Sequence, residues 1–370
     1  MRDALAELPY DFVAALLVGG TEKLRGGDDY GVPLVESLEG GYDVVVDLSD
    51  EPVLGPRERF RWVSRALALG LPYVGADFRF DPPAREPFAL PSIAVIGTGK
   101  RVGKTAVTGH VARLFAGDRK VVVVAMGRGG PREPVLVEEP PDAARLVELS
   151  RAGEHAASDY LETAALAGVV TVGCRRCGGG LAGAVATSNV AAGAALAAAQ
   201  SPDLVVFDGS GAAIPPVATT KTVLVADARA GLDYLNAYRA AIADLVVATM
   251  AEDGIGELAE LDRPVVPVTL RLRPVTPVAG RRVAVFTTGA GPVDHLDADV
   301  VAVSRNLANR PALREDLAGI DADVYVVELK AAAIDVVAEA ALERGVELVL
   351  ADNEVVSLDA LLDDELRKLV

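Results

Sequence analysis

The stretch Gly97-Thr98-Gly99-Lys100-Arg101-Val102-Gly103-Lys104-Thr105 carries the most specific chemistry in the chain. It follows an apolar run, Ile93-Ala94-Val95-Ile96, and precedes a helical pattern from Ala106 to Phe115. A strand that feeds a glycine-rich turn into a helix leaves backbone N–H groups unpaired and aimed at one point. Together with the positive end of the helix, those donors hold phosphate oxygens. In that geometry Lys104 reaches the β- and γ-phosphates of ATP, and Thr105 offers its hydroxyl to Mg2+. A second metal contact is expected from Leu204-Val205-Val206-Phe207-Asp208-Gly209-Ser210-Gly211, an apolar strand ending in a carboxylate beside a flexible loop. Asp208 fills that role directly or through water; the plain alternative is a strand-end Asp capping a turn.

The loop is a long variant of the phosphate-binding P-loop. Five residues, not four, separate Gly97 from Gly103, and Thr98 stands at the usual first glycine. In this it resembles the loop of dethiobiotin synthetase and its relatives. A set of arginines on glycine-rich segments supplies positive charge for an anionic substrate: Arg128 and Arg132 in Met126-Gly127-Arg128-Gly129-Gly130-Pro131-Arg132, and Arg175 and Arg176 in Gly173-Cys174-Arg175-Arg176-Cys177-Gly178-Gly179-Gly180. Loops at the carboxyl ends of strands in a doubly wound sheet converge on the ligand, and Arg grips phosphates and carboxylates with paired hydrogen bonds. His155, in His155-Ala156-Ala157-Ser158-Asp159, is either a proton carrier in the substrate site or part of a helix cap. Cys174 and Cys177 are the only cysteines, so a zinc site lacks two ligands. A redox pair is the alternative to small residues shaping a tight substrate loop, which is the preferred reading.

These residues need a sheet to hold them. Apolar runs at 93–96, 121–125, 169–172, 204–207, 222–226 and 245–248 read as strands, several all-apolar as strands covered on both faces must be. The expected fold is α/β: a central doubly wound parallel-sheet P-loop NTPase domain over 92–275, flanked by smaller N- and C-terminal α/β units. The N-terminal Rossmann-like unit covers 1–82, with a buried strand over 11–18, an apolar run at 44–48 and a helix over 57–69. Residues 83–91 read as a linker. Pro-rich 271–277 closes the central domain, and 280–370 repeats strand and helix, with a helix over 331–344. There, Ser304-Arg305-Asn306 and Lys330 are polar enough to join a site, although solvation of loops explains them equally.

The formal charge of −17 over 370 residues argues against a nucleic-acid partner. No apolar stretch reaches the roughly 18–20 residues of a membrane span, and the acidic N-terminus is unlike a signal peptide, so a soluble cytoplasmic protein is expected.

With these motifs read, the chain resembles the cyclic 2,3-diphosphoglycerate synthetase family. The likeness rests on Val45–Gly55, Pro72–Phe78, Gly97–Thr105, Gly127–Pro131, Gly173–Gly180 and Asp208–Gly211. The resemblance implies ATP-driven closure of 2,3-diphosphoglycerate into a cyclic pyrophosphate with release of ADP and phosphate. It also implies dependence on Mg2+, a response to K+ and a homodimer. Lys104, Arg128, Arg175 and Arg176 are then the expected catalytic residues. Two other readings keep the fold: a carboxylate-activating ligase of the dethiobiotin synthetase type, and a nucleotide-dependent switch ATPase. The switch proteins place a signature lysine five residues before the P-loop lysine; here that position is Gly99, with Lys100 one place late.

Overall fold

The computed structural model describes residues 5–19, 31–51, 53–153, 158–289, 291–329 and 333–370. The chain divides into two compact units, Met1–Pro83 with Leu232–Ile242, and Ala84–Gly231 with Ala243–Val370.

In the first unit the helix Pro56–Ala68 starts on a proline, whose fixed φ suits a first turn, and buries Val63, Ala66 and Leu67. It accompanies three short strands: Val45–Val46 pairs in parallel with Tyr73–Val74, which pairs antiparallel with Arg79–Phe80. Asp47, just past the first strand, is tied by the Ser49 N–H at 2.8 Å and by Arg59 Nε at 2.8 Å. The strand expected over 11–18 is not there. That segment follows an irregular path with a single bridge from Ala15 to Leu34. Its neighbour Pro33 has no N–H to extend a ladder, and Val13 stays 58% exposed.

The second unit is built on a 13-stranded sheet. Its long strands are β1 (Ser92–Gly97), β2 (Val121–Gly127), β3 (Val135–Val137), β4 (Val170–Cys177), β5 (Leu204–Asp208), β6 (Lys221–Asp227), β7 (Leu245–Thr249), β8 (Val265–Pro274), β9 (Arg282–Phe286), β10 (Asp299–Ser304), β11 (Val324–Glu328) and β12 (Glu347–Ser357). Their order across the sheet is β10-β9-β11-β12-β8-β7-β6-β1-β5-β2-β4-β3. From β4 to β8 every neighbour is parallel. The chain leaves β1 toward β2 on one side and crosses from β5 to β6 on the other. The loops after β1 and β5 therefore part from each other at the switch point, where ligands of doubly wound sheets bind.

Of four helices, α1 (Lys104–Ala116), α2 (Ala143–Arg151), α3 (Asp159–Ala167) and α4 (Val190–Ala198), three cover this part, while α2 packs Leu146 and Val147 into the apolar cluster of Phe286 and Tyr325. One face packs Ile93, Val95, Val123, Val206, Val225 and Val247 against Val107, Val111 and Phe115 of α1. The other packs Val122, Val124, Met126, Val205 and Phe207 against Val190, Ala194 and Ala197 of α4. The strands are fully buried because both faces are covered, which is why they read as unbroken valine runs.

The stretch 271–277 does not close the sheet. Its first half is the end of β8, which pairs antiparallel with β12 from Val268↔Ser357 to Pro274↔Ala351. The sheet thus runs without a break into β9–β11. Within 83–91, Glu86–Pro87 pairs with Val217–Ala218. The helix expected over 331–344 runs, in its described residues, as a wide π-helical turn Ala333–Ala338 followed by α-helix Glu339–Arg344. The last helix, Leu362–Arg367, returns Leu362 and Leu366 to the α1 face of the core.

Candidate active site

β1 ends at Gly97, and its register sets the whole corner. Thr98 N–H donates to Val225 O of β6 at 3.1 Å, and Gly209 N–H donates to Val95 O at 2.9 Å. Arg101 and Gly103 take positive φ, 62° and 85°, and turn the chain into α1. Gly103 has a second reason to lack a side chain: a Cβ there would meet Leu270 Cδ1 at 2.7 Å and Thr249 Cγ2 at 3.2 Å. The buried Thr249 hydroxyl holds the loop by donating to Val102 O at 2.9 Å. Helix α1 starts with no side-chain cap. Its first N–H groups are thereby left for an outside acceptor, the arrangement that binds phosphate.

Lys104, the first residue of α1, donates through Nζ to Asp208 Oδ1 at 2.7 Å. Asp208 is 2% exposed and also accepts from Thr108 Oγ1 at 3.0 Å. The carboxylate at the end of β5, the lysine and the threonine one turn further along α1 form one buried cluster. Thr105, half-buried, stands in the same first turn. Thr108 was not singled out in the sequence, yet its position four residues after Lys104 puts both on one helix face, a signal that was there to use.

The turn after Asp208 closes on the P-loop. Gly211 has φ +60°, and a Cβ on Gly97 would stand 3.3 Å from Gly211 O. Behind the turn lies Arg176, 5% exposed, donating through Nη2 to Ser210 O at 2.8 Å and through Nη1 to Gly178 O. Burial first, and repulsion from Arg128 second, hold its pKa below the usual arginine value. Arg128 itself is exposed on the loop after β2. Arg132 is exposed on that loop too.

The segment Gly173–Cys177, expected as loop, is instead the last part of β4, and the loop begins at Gly178. Strand alternation then separates residues that looked adjacent. Cys174 and Arg176 share the α4 face, whereas Arg175 and Cys177 are exposed on the other parity. Of the arginine pair, Arg176 is the one that reaches the Asp208 turn. Cys174 packs on Gly193 of α4, where a glycine Cβ would lie 2.1 Å from its Sγ, and burial pushes its thiol up to about 12. Cys177 is exposed. A tether also missed in the sequence is Asn189: its Oδ1 accepts from Arg175 N–H at 2.7 Å, while its Nδ2 donates to Pro131 O and Arg132 O at 3.2 and 3.1 Å. It locks the two arginine-bearing segments to each other. His155 lies outside the described residues. Ser158 takes the N-cap position of α3 without a side-chain cap bond, and Asp159 opens its first turn.

The donor set fits a Mg2+ that shares substrate phosphates. Among the described residues no three His, Cys, Asp or Glu side chains gather to enclose an ion by themselves. One carboxylate (Asp208) and one first-turn hydroxyl (Thr105), completed by phosphate oxygens and water, suit this cation better than an all-protein cage. Among the described residues no helix is long and apolar enough to cross a membrane.

A glycine-rich turn from the central strand into an uncapped helix, with its lysine against a strand-end carboxylate at the switch point, defines a P-loop α/β fold. Comparison with known proteins agrees. The family model described as cyclic 2,3-diphosphoglycerate synthetase, P-loop domain, matches residues 92–275. The models for the C-terminal and N-terminal domains of the same synthetase match 274–354 and 1–81. Cyclic 2,3-diphosphoglycerate synthetase from Rubrobacter xylanophilus is 49% identical, covering 96% of this chain and 90% of that protein. The synthetase of that name from Thermococcus kodakarensis is 42% identical, covering 97% and 92%. A solved structure of LpxK from Aquifex aeolicus in complex with ATP is 14% identical with a TM-score of 0.46, covering 78% of this chain and 91% of that one. The chain belongs to the cyclic 2,3-diphosphoglycerate synthetase family.

Proposed function

We propose that this chain uses ATP to close 2,3-diphosphoglycerate into cyclic 2,3-diphosphoglycerate, with release of ADP and phosphate. The observation that carries the reading is the Lys104–Asp208–Thr108 cluster at the uncapped start of α1, in a chain of this family.

Two phosphates on one molecule do not join unaided, because both are anions and neither has a good leaving group. In the proposed sequence an oxygen of one substrate phosphate attacks the γ-phosphorus of ATP, and the bond to the β–γ bridging oxygen breaks with its electrons leaving on ADP. The neighbouring phosphate then attacks the inner phosphorus of the new pyrophosphate. The outer phosphate departs as inorganic phosphate, and a cyclic pyrophosphate remains. Neither step needs a side-chain nucleophile; holding the groups in line and neutralising charge supply the acceleration. The N–H groups of Gly97–Thr105 and the Lys104 ammonium would hold the triphosphate. Mg2+, held by Thr105 and Asp208, would draw charge from the β- and γ-oxygens. Arg128, Arg132 and Arg175 are the exposed cations for the acceptor. Arg176 adds positive charge and fixes the Ser210–Gly211 turn. His155 completes the proposed substrate set.

The test is ADP release with 2,3-diphosphoglycerate present and absent, with phosphorus NMR of the product. A cyclic pyrophosphate formed one for one with ADP supports the reading. ADP release with other carboxylates, or none requiring 2,3-diphosphoglycerate, refutes it. Homodimerisation, Mg2+ dependence and the K+ response belong to the same proposal. Light scattering and turnover with each cation withheld test them.

A further inference from the structure

An open cavity of about 280 Å³ lies within the second unit, where β8 turns toward β9. Its polar walls are Arg271, Arg273, His295, Glu354 and Asp297; Leu272, Val278 and Leu296, members of one buried apolar cluster, form its base. With a water's share of liquid volume near 30 Å³, there is space for an ion larger than one water.

The arginines differ in how they are occupied. Arg271 Nε is paired with Glu354 at 2.6 Å. Arg273 makes only a 3.5 Å ion contact to Asp352, and its buried Nε has no hydrogen-bond partner among the described residues. A guanidinium carries five N–H donors, and leaving a buried one unmade is costly. Asp352 gives its better contact, 2.9 Å, to Arg113 of α1. Arg273 therefore stands as the weakly satisfied cation of a three-arginine, two-carboxylate group, at the wall of a cavity with a largely apolar floor. His295 donates through Nε2 to Leu272 O at 2.6 Å, which fixes its ring in the wall.

We propose that this cavity is a binding site for a small phosphorylated anion, seated on Arg273 with Arg271 and His295 beside it. Planar, forked donors suit a phosphate oxygen pair, while Glu354 and Asp297 in the same wall disfavour ligands with negative charge spread over a longer body. The site is separate from the P-loop and does not depend on which acceptor the P-loop serves. It has a path to it: Asp352, shared between Arg273 and Arg113, links the cavity wall to the helix that begins with Lys104.

The probes are inorganic phosphate and a phosphate monoester, glycerol phosphate. Each is titrated by calorimetry into the full chain already saturated with a non-hydrolysable ATP analogue and Mg2+, so that the P-loop is filled. Wild type and Arg128→Gln should each show a binding event that weakens at least tenfold in Arg273→Gln. The variant keeps Asp352 paired with Arg113, and unchanged analogue binding checks that it is folded. Phosphate alone, or the monoester alone, identifies the ligand's source. Equal binding by Arg273→Gln and wild type, loss in Arg128→Gln instead, or no binding event at all, overturns the proposal.

Discussion

The Lys104–Asp208 pair makes a prediction that can be worked from distances. At 2.7 Å and an effective dielectric of about 20, the gross attraction is about 6 kcal/mol. Desolvation cancels much of it, because Asp208 is 3% and Lys104 11% exposed in their side chains. Removing one partner strands the other, so Asp208→Asn and Lys104→Met should each destabilise the second unit by about 2–4 kcal/mol. Removing both leaves no buried unpaired charge, so the double variant should cost about as much as one single change, a coupling of about 2–4 kcal/mol. Trp62, the one tryptophan, lies in the first unit and cannot report this. Native-state hydrogen exchange across the α1 amides reads the local opening free energy instead. On the proposed mechanism the lysine and the carboxylate act in the transition state, so turnover should fall by at least about 10³-fold in all three proteins. Single costs that add within about 0.5 kcal/mol would mean that the two charges do not hold each other, and the geometry would be refuted.

Other consequences follow from burial and strand parity. Iodoacetamide on the native protein should modify Cys177 and spare Cys174, whose thiol at about 12 is almost wholly protonated at neutral pH; equal labelling would refute the parity of β4. Arg176→Ala should lower turnover at least tenfold more than Arg175→Ala, since only Arg176 holds Ser210 O, and near-equal losses in ADP release would count against it. In the first unit, burial works to raise the Asp47 pKa, but hydrogen bonds from Ser49, Arg59 and Tyr73 outweigh it and hold the carboxyl below 3.8. Its stabilisation is therefore present above 3.8 and lost as pH falls through the lower folded value. Trp62 fluorescence should show an acid-side loss of stability that is shallower in Asp47→Asn; identical slopes would refute the assignment.

The P-loop was legible because it is local: strand, turn and helix lie within one short stretch, and each constrains the next. Asp208 was legible for the same reason, as a carboxylate that ends an apolar run. The misreadings share a different cause. Gly173–Cys177 looked like loop because glycines and arginines crowd it, yet β2 lies in parallel register beside it as far as Arg175. The stretch 271–277 reads as the close of the central domain, and the family model of the P-loop domain does end at 275, but its Arg and Pro residues hide the strand that runs through it to Pro274. Its arginines pair with Asp352 and Glu354, roughly eighty residues away in β12, and no local pattern records such a pairing. The 11–18 run erred in the opposite direction: it is apolar enough for a strand, but its neighbouring segment supplies only one bridge.

The β8–β12 pair also decides what the C-terminal strands can do. Because those two strands are antiparallel while β9, β10 and β11 run with β12, the carboxyl ends of β9–β11 open on the edge of the sheet opposite the P-loop. Ser304, Arg305 and Asn306, polar enough in sequence to join a site, belong to that far edge, and Lys330 lies outside the described residues. There, Ser304 and Asn306 donate to Asp316, while Arg305 donates to Gly289 O and Gly291 O. Helix α1 spans the distance: Arg113 comes nine residues after Lys104, about 14 Å along the axis at 1.5 Å per residue. It meets Asp352 where the direction of the sheet reverses. The C-terminal segment therefore meets the P-loop helix away from its phosphate-facing start, through the Asp352–Arg113 pair and through Val355, Leu362 and Leu366 in the core that α1 shares.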